Sequence, residues 1–203
     1  MVEVLYISWD KAIEMCYRLA LDIASSGYKP DAIVAVLRGG VVPALIVSDV
    51  LGVDTFYAVR AKHWGIAEEV YKAPLVEQLP QGRLEGKKVL VVDEVADTGK
   101  TLNCVIEELR KLGALEVRSA VLHLKPSSIR IPDYYVEKLS RWTWIFYPWS
   151  LVETLYALAH RELGEKASKE ELLKKVEELV DRLGVKGFRR EIIEMGIRFY
   201  KKS

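Results

Sequence analysis

Amide side chains are almost missing from this chain of 203 residues: Asn103 is the single asparagine, and Gln78 and Gln81 are the only glutamines. Lys and Arg total 30 and Asp and Glu total 29, so the polar surface is built from charge, a bias associated with heat-adapted proteins. The two signs nearly cancel to a formal +1, which excludes the electrostatic signature of a protein that wraps nucleic acid or coats an anionic membrane. Cysteine is equally scarce. Cys16 and Cys104 sit far apart in apolar helical patterns without ligand spacing, which excludes a disulfide scaffold or a cysteine metal site and suits reduced core thiols in a cytoplasmic protein. The three histidines, His63, His123 and His160, are scattered and form no metal-ligand pattern. No apolar run approaches the length of a membrane span, and the opening MVEVLYISWDKAIEMC has no basic segment followed by a long apolar one, so neither a spanning helix nor a secretory leader is expected.

What is present is a chain half hydrophobic and 29% charged, enough to bury a full-sized core. After a short opening strand, WDKAIEMCYRLALDIAS places Ile13, Cys16, Tyr17, Ala20, Ile23 and Ala24 at three- and four-residue steps, predicting an amphipathic helix from Ser8 to near Gly27. AIVAVL (32–37) is a continuous apolar run, as expected of a strand covered on both faces. It leads through RGG into the helical VVPALIVSDVLG. TFYAVR, KKVLVV and VRSAVLHLK read as further strands, with TGKTLNCVIEELRKLG as a helix between the last two. This alternation predicts an α/β fold, a mostly parallel sheet flanked by helices. Between Arg60 and Gly86 the pattern fails, which suggests a long functional loop. From Ser150 onward three helices follow, the second opened by the capping box Ser168 to Glu171 and closed near Gly184. The expected division is therefore residues 1–149 as an α/β domain and 150–203 as a C-terminal helical bundle.

Chemistry concentrates in VLVVDEVADTGKTL (89–102). Asp93 and Glu94 stand where a strand ends, at the sheet edge where open α/β folds bind ligands. Asp97-Thr98-Gly99-Lys100-Thr101 then opens a helix whose free N–H groups favour a phosphate. Acceptors for sugar hydroxyls or a metal thus lie beside donors for a phosphate. An ATP-binding P-loop shares the Gly-Lys-Thr, but it needs a glycine where this chain has Glu94, a carboxylate that would repel phosphates. Simple helix capping accounts for Asp97 better than for Asp93 and Glu94 together.

The same stretch resembles the phosphoribosyl-diphosphate (PRPP) motif of the type I phosphoribosyltransferases, and the likeness extends over roughly residues 1 to 150. It implies the type I phosphoribosyltransferase fold, with residues 1–149 including a nucleobase-binding hood. It also implies Asp93 and Glu94 on the ribose hydroxyls, with Asp93 toward Mg²⁺, and Asp97, Thr98, Gly99, Lys100 and Thr101 around the 5-phosphate. VLRGG (36–40) resembles the family's pyrophosphate loop, which places Arg38, Gly39 and Gly40 at the diphosphate and implies a cis peptide at Leu37–Arg38 or Arg38–Gly39. The segment after Arg60 corresponds to the family's catalytic lid, with Arg60, Lys62 and Lys72 as candidate diphosphate contacts and His63 beside them.

The implied reaction joins a purine base to the anomeric carbon of PRPP with loss of pyrophosphate. Asp97 and Arg38 are the catalytic candidates, Asp97 as the acceptor of the base's proton. HLKP (123–126) and TWIFYPW (143–149) resemble the xanthine-guanine type, which implies Lys125 on the 6-oxygen, Trp144 over the ring, and Ile145 and Phe146 beside it. Phe146 and Tyr147 stand where that type carries an acid and a glutamine. The helical extension resembles one found on purine enzymes that include adenine users. The base is therefore open between a 6-oxopurine, ranked first, and adenine. A PRPP-sensing regulator is the reading of a different class; its nucleic-acid surface would be Arg189, Arg190, Arg198, Lys201 and Lys202, which otherwise read as a solvated face. The expected cofactor is Mg²⁺. The expected partners are PRPP, a purine base and pyrophosphate, with a second copy of the chain in a homodimer or larger oligomer and neither nucleic acid nor membrane.

Overall fold

The structure, a computed structural model, describes residues 3–62, 75–78 and 84–200. In chain order its elements are β1 (Val4–Tyr6), α1 (Trp9–Ser25), β2 (Ala32–Leu37), α2 (Val41–Leu51), β3 (Phe56–Lys62), β4 (Leu75–Gln78), β5 (Lys88–Ala96), α3 (Lys100–Lys111), β6 (Glu116–Leu124), β7 (Tyr134–Lys138), β8 (Trp144–Phe146), α4 (Leu151–Leu163), α5 (Lys169–Leu183) and α6 (Arg190–Tyr200). Two compact units result: residues 10–143 form one, and residues 3–9 with 144–200 form the other.

The first unit is built on a six-stranded sheet in the order β4-β3-β2-β5-β6-β7. Every neighbouring pair is parallel except β3 and β4. The chain steps from β2 outward to β3 and from β5 outward through β6 to β7, so the direction of winding reverses between β2 and β5. Right-handed crossovers then place α2 and α3 on opposite faces. Leu102, Val105, Ile106 and Leu109 of α3 recur at helical spacing and share a buried cluster with Val34, Val36, Val89, Val91 and Val121. The alternate residues Ile33, Ala35, Leu90 and Val92 are equally buried, and α2 packs on β2 and β5. Burial on both faces is why these strands read as unbroken apolar runs.

Two differences from the sequence reading in this unit have physical causes. The buried stripe of α1 is Ala12, Met15, Cys16, Leu19, Ala20 and Ile23, which keeps Cys16, Ala20 and Ile23 of the expected one; Tyr17 and Ala24 are exposed, and Ala12, Met15 and Leu19 face inward instead. Burial pushes the Cys16 thiol up to about 12, which leaves it protonated and unreactive. The irregular 60–86 segment contains an edge strand, β4, bounded by Pro74 and Pro80 and too short to announce itself by periodicity. His63, Lys72 and most of the expected lid lie outside the described residues.

The second unit pairs β1 with β8 in parallel, Val4 opposite Trp144 and Tyr6 opposite Phe146. Phe146 joins Leu155, Leu158, Leu172, Val176, Leu179, Ile193 and Ile197 in its core. The compact unit therefore begins at residue 144, several residues before the expected boundary at 150, and recruits residues 3–9, because β1 and β8 satisfy each other's backbone. The capping box is formed on both sides: Glu171 N–H donates to Ser168 Oγ at 3.1 Å, and Ser168 N–H to Glu171 Oε2 at 2.7 Å. Gly184 closes α5 in the left-handed conformation. No helix among the described residues is long and apolar enough to cross a membrane. Removing the cap with Ser168→Ala is expected to cost ~1 kcal/mol and lower the melting temperature by about 2–4 °C, measured by thermal denaturation; an unchanged midpoint would show that α5 does not depend on its cap.

Candidate active site

The reversal between β2 and β5 opens a crevice at the carboxyl ends of the strands, where doubly wound sheets bind ligands. Ala35 of β2 lies opposite Val92 of β5, so the residues just beyond them, the RGG turn and the acid pair, fall side by side. The Leu37–Arg38 peptide is cis, and Arg38 is exposed at the lip. Gly40 lies so close to β5 that a Cβ there would collide with the Val92 carbonyl and come within 2.8 Å of Val36 O and 3.0 Å of Asp93 Cα. A side chain on Gly39 would run into the Glu94 carboxylate. Glycine at 40, where the obstacles are backbone atoms, is thus what allows the turn after β2 to rest on the end of β5.

β5 runs four residues further than its apolar portion suggests, through Asp93, Glu94 and Val95 to Ala96. The acids accordingly sit inside the last turns of the ladder, not beyond it; Asp93 pairs with Val121 of β6. Desolvation, and then the neighbouring Glu94 charge, raise Asp93 well above the usual carboxylate range. Glu94 N–H donates to Asp93 Oδ1 at 2.8 Å and offsets part of this. Two like-charged groups held in a poorly hydrated cleft are what a bound cation or hydroxyl donors would relieve.

The turn after β5 is shaped by Gly99, whose φ of 75° lies in the left-handed region. A Cβ there would approach Ser128 Oγ to 2.6 Å and Arg130 N to 2.9 Å, so the position needs glycine twice over. Gly99 is the N-cap of α3 and has no side chain to satisfy the first N–H groups; Lys100 N–H donates to Thr98 Oγ1 at 3.4 Å, and the N–H groups of Thr101 and Leu102 lie in the turn that favours an anion. The 127–130 loop braces this turn: Ile129 N–H donates to Thr98 O at 2.9 Å, and Arg130 Nη1 to Asn103 Oδ1 at 2.9 Å.

Asp97 faces away from that cradle toward the end of β6. Lys125 N–H bonds Ala96 O at 3.0 Å, extending the β5–β6 ladder by one rung, and this brings Lys125 Nζ to 2.8 Å from Asp97 Oδ2. The ammonium is almost fully buried, at 6% exposure. Ser127 Oγ donates to Asp97 Oδ1 at 3.0 Å and Trp142 Nε1 to the same oxygen at 3.2 Å. Lys125 Nζ also lies 4.3 Å from the centre of the Trp142 ring.

Of the residues expected at the site, Arg38, Gly39, Gly40, Asp93, Glu94, Asp97, Thr98, Gly99, Lys100, Thr101 and Lys125 belong to this one unit. Trp144, Ile145 and Phe146 belong to the other; Phe146 is fully buried in its core, 5.1 Å from the Tyr6 ring, and Trp144 packs against the same cluster. The aromatic residue that the structure brings to Asp97 and Lys125 is Trp142, two positions earlier. Ser127 and Trp142 escaped the sequence reading. Ser127 follows Lys125 by two residues, a usable signal, whereas a tryptophan flanked by Arg141 and Thr143 gives none. Arg60 pairs with Glu77 at 3.5 Å. His123, fully buried on β6, lies 3.3 Å from Glu137. Desolvation lowers it to about 4, so it is neutral at pH 7 and structural.

An α/β sheet with an acid pair and a helix N-terminus at the switch point is the arrangement of a class of proteins that handle phosphorylated ligands. The chain belongs to the phosphoribosyl transferase family, whose domain matches residues 7–154. It is 34% identical over 153 residues to a xanthine-guanine phosphoribosyltransferase of Cereibacter sphaeroides, covering 72% of this chain and 86% of that one. A purine phosphoribosyltransferase from Pyrococcus horikoshii is 38% identical, with a TM-score of 0.63 over 73% of this chain and 94% of that one. A Neisseria gonorrhoeae protein crystallised with bound ppGpp is 30% identical, with a TM-score of 0.64 over 80% and 97%.

Asp93 is a place where function opposes stability. Its raised pKa means that the folded protein binds more protons than the unfolded chain between the ordinary aspartate value and the folded one, so its contribution to stability falls as pH rises through that window. Asp93→Asn, which can still accept the Glu94 N–H bond, is expected to raise the melting temperature of the ligand-free protein at neutral pH, by roughly 2–4 °C for each kcal/mol relieved. The gain should shrink toward pH 4. Calorimetry across pH decides it, and a variant less stable than wild type at every pH would contradict the assignment.

Proposed function

We propose that the protein transfers the 5-phosphoribosyl group of PRPP to a 6-oxopurine, giving the nucleoside monophosphate and pyrophosphate. The observation that carries this reading is the Asp97–Lys125 pair, a carboxylate and an ammonium 2.8 Å apart at the ends of neighbouring strands. A 6-oxopurine presents an imidazole N–H beside a carbonyl, and the pair offers an acceptor for the first and a donor for the second. Adenine presents an amino group where Lys125 needs an acceptor. The names of the Cereibacter and Pyrococcus relatives support a purine substrate.

The phosphate of PRPP would lie at the N-terminus of α3, on the backbone N–H groups of 100–102 with Thr98 and Thr101 hydroxyls alongside. Asp93 and Glu94 would accept the ribose hydroxyls, and the 38–40 turn, with the Arg38 guanidinium, would receive the diphosphate. Their carboxylates also fit Mg²⁺, since a cation removes the repulsion that raises Asp93, and two acids leave the other ligand positions to substrate oxygens and water. Bound there, the ion would neutralise charge on the departing pyrophosphate.

With the sugar so held, a ring nitrogen of the base attacks the anomeric carbon as the bond to the diphosphate oxygen breaks. Asp97 accepts the proton that the other imidazole nitrogen gives up, so the base leaves no positive charge on the product. Lys125 holds the 6-oxygen and keeps Asp97 oriented. Asp97→Asn is expected to lower kcat by about a hundredfold or more, with PRPP affinity within a few-fold of wild type, when steady-state kinetics and calorimetric titration are compared. Unchanged turnover would remove Asp97 as the proton acceptor.

A further inference from the structure

Trp142 sits on the groups that the purine needs. Its indole is a fused bicycle whose five-membered ring donates an N–H to Asp97 Oδ1 at 3.2 Å, and its ring lies 4.3 Å from Lys125 Nζ. A purine would bring the same features: a fused bicycle, an N–H in the five-membered ring for Asp97, and a contact for Lys125. The side chain is 42% exposed, so it is not locked in a core. It lies in the 139–143 connection between β7 and β8, outside any regular element, where a swing costs no ladder hydrogen bond.

We propose that Trp142 is an internal stand-in for the base: its indole holds the Asp97–Lys125 pair in the ligand-free protein and must leave before a purine can dock. The inference rests on the proposed purine site and adds the residue that sets how readily that site opens. Lys125 and Ser127 keep Asp97 oriented while the indole is in place, so the pair is preformed and only covered. Its consequence is quantitative. If only a fraction of molecules has the indole out, every base binds more weakly by that same fraction. The loss is common to all bases, so it scales their KM values together without altering their ratio. The discriminating groups remain Asp97 and Lys125.

The test is steady-state kinetics of wild type, Trp142→Phe and Trp142→Ala with hypoxanthine and guanine at saturating PRPP. Phenylalanine keeps the aromatic ring and removes the N–H donor to a charged acceptor, a bond whose loss corresponds to about tenfold or more in the covering equilibrium. The expected result is a KM about tenfold lower for both bases, an unchanged ratio between them and unchanged kcat. Trp142→Ala, which removes the ring as well, should lower KM at least as far. A rise in KM with alanine, or a change in the ratio, would show that Trp142 touches the bound base and overturn the inference. KM values equal in all three proteins would overturn it too. Absence of turnover in the wild type would remove the transferase reading and this inference with it, whereas turnover with equal KM removes the inference alone.

Discussion

The close approach of the turn after β2 to the end of β5 is the constraint on which the site depends. Gly40 has no room for a side chain against the carbonyls of Val92 and Val36, while Gly39 faces only the movable Glu94 carboxylate. A Cβ at Gly40 would push the turn away from the acids. The crevice at the switch point would then widen between the 38–40 turn and the acid pair, the two groups that the proposed function assigns to one ligand. Gly99 has the same part on the other side of β5, where its positive φ and its contact with the 128–130 backbone set the direction in which α3 leaves the cradle. Gly40 and Gly99 thus fix the spacing around the paired acids of β5.

The repulsion between those acids is a cost to the fold. Asp93 and Glu94 are paired like charges at the end of a buried strand, a local violation of the rule that buried charges be compensated. Asp97, by contrast, is compensated within the protein by Lys125, Ser127 and Trp142. The two acidic positions therefore differ in kind. Among the described residues Asp93 is offset only by the Glu94 N–H, and Asp97 is already satisfied by three side chains.

Much of the sheet unit was legible from residue order alone. Continuous apolar runs marked β2 and the first part of β5, because strands buried on both faces need no polar alternation, and the acid pair and the glycine turn after it stood out because they lie in one contiguous stretch. Legibility failed where the structure depends on distant pairing. β4 and β8 are short and form by hydrogen bonding to β3 and β1, partners that local pattern does not reveal. The stripe of α1 was misplaced by the pull of Tyr17, a large residue that faces solvent while the small Ala12 faces inward. Trp142 went unseen for a similar reason: its partners, Asp97 and Lys125, are 45 and 17 residues away, and only the β5–β6 register brings the three together.

The central claim is that the Asp97–Lys125 pair reads the edge of a 6-oxopurine. Its most direct measurement is pyrophosphate release from Mg-PRPP at elevated temperature with hypoxanthine, guanine, xanthine and adenine supplied separately. Release with the oxo bases and little with adenine is the predicted result. Release with adenine alone would contradict it, leaving a transferase whose lysine and aspartate serve some other contact.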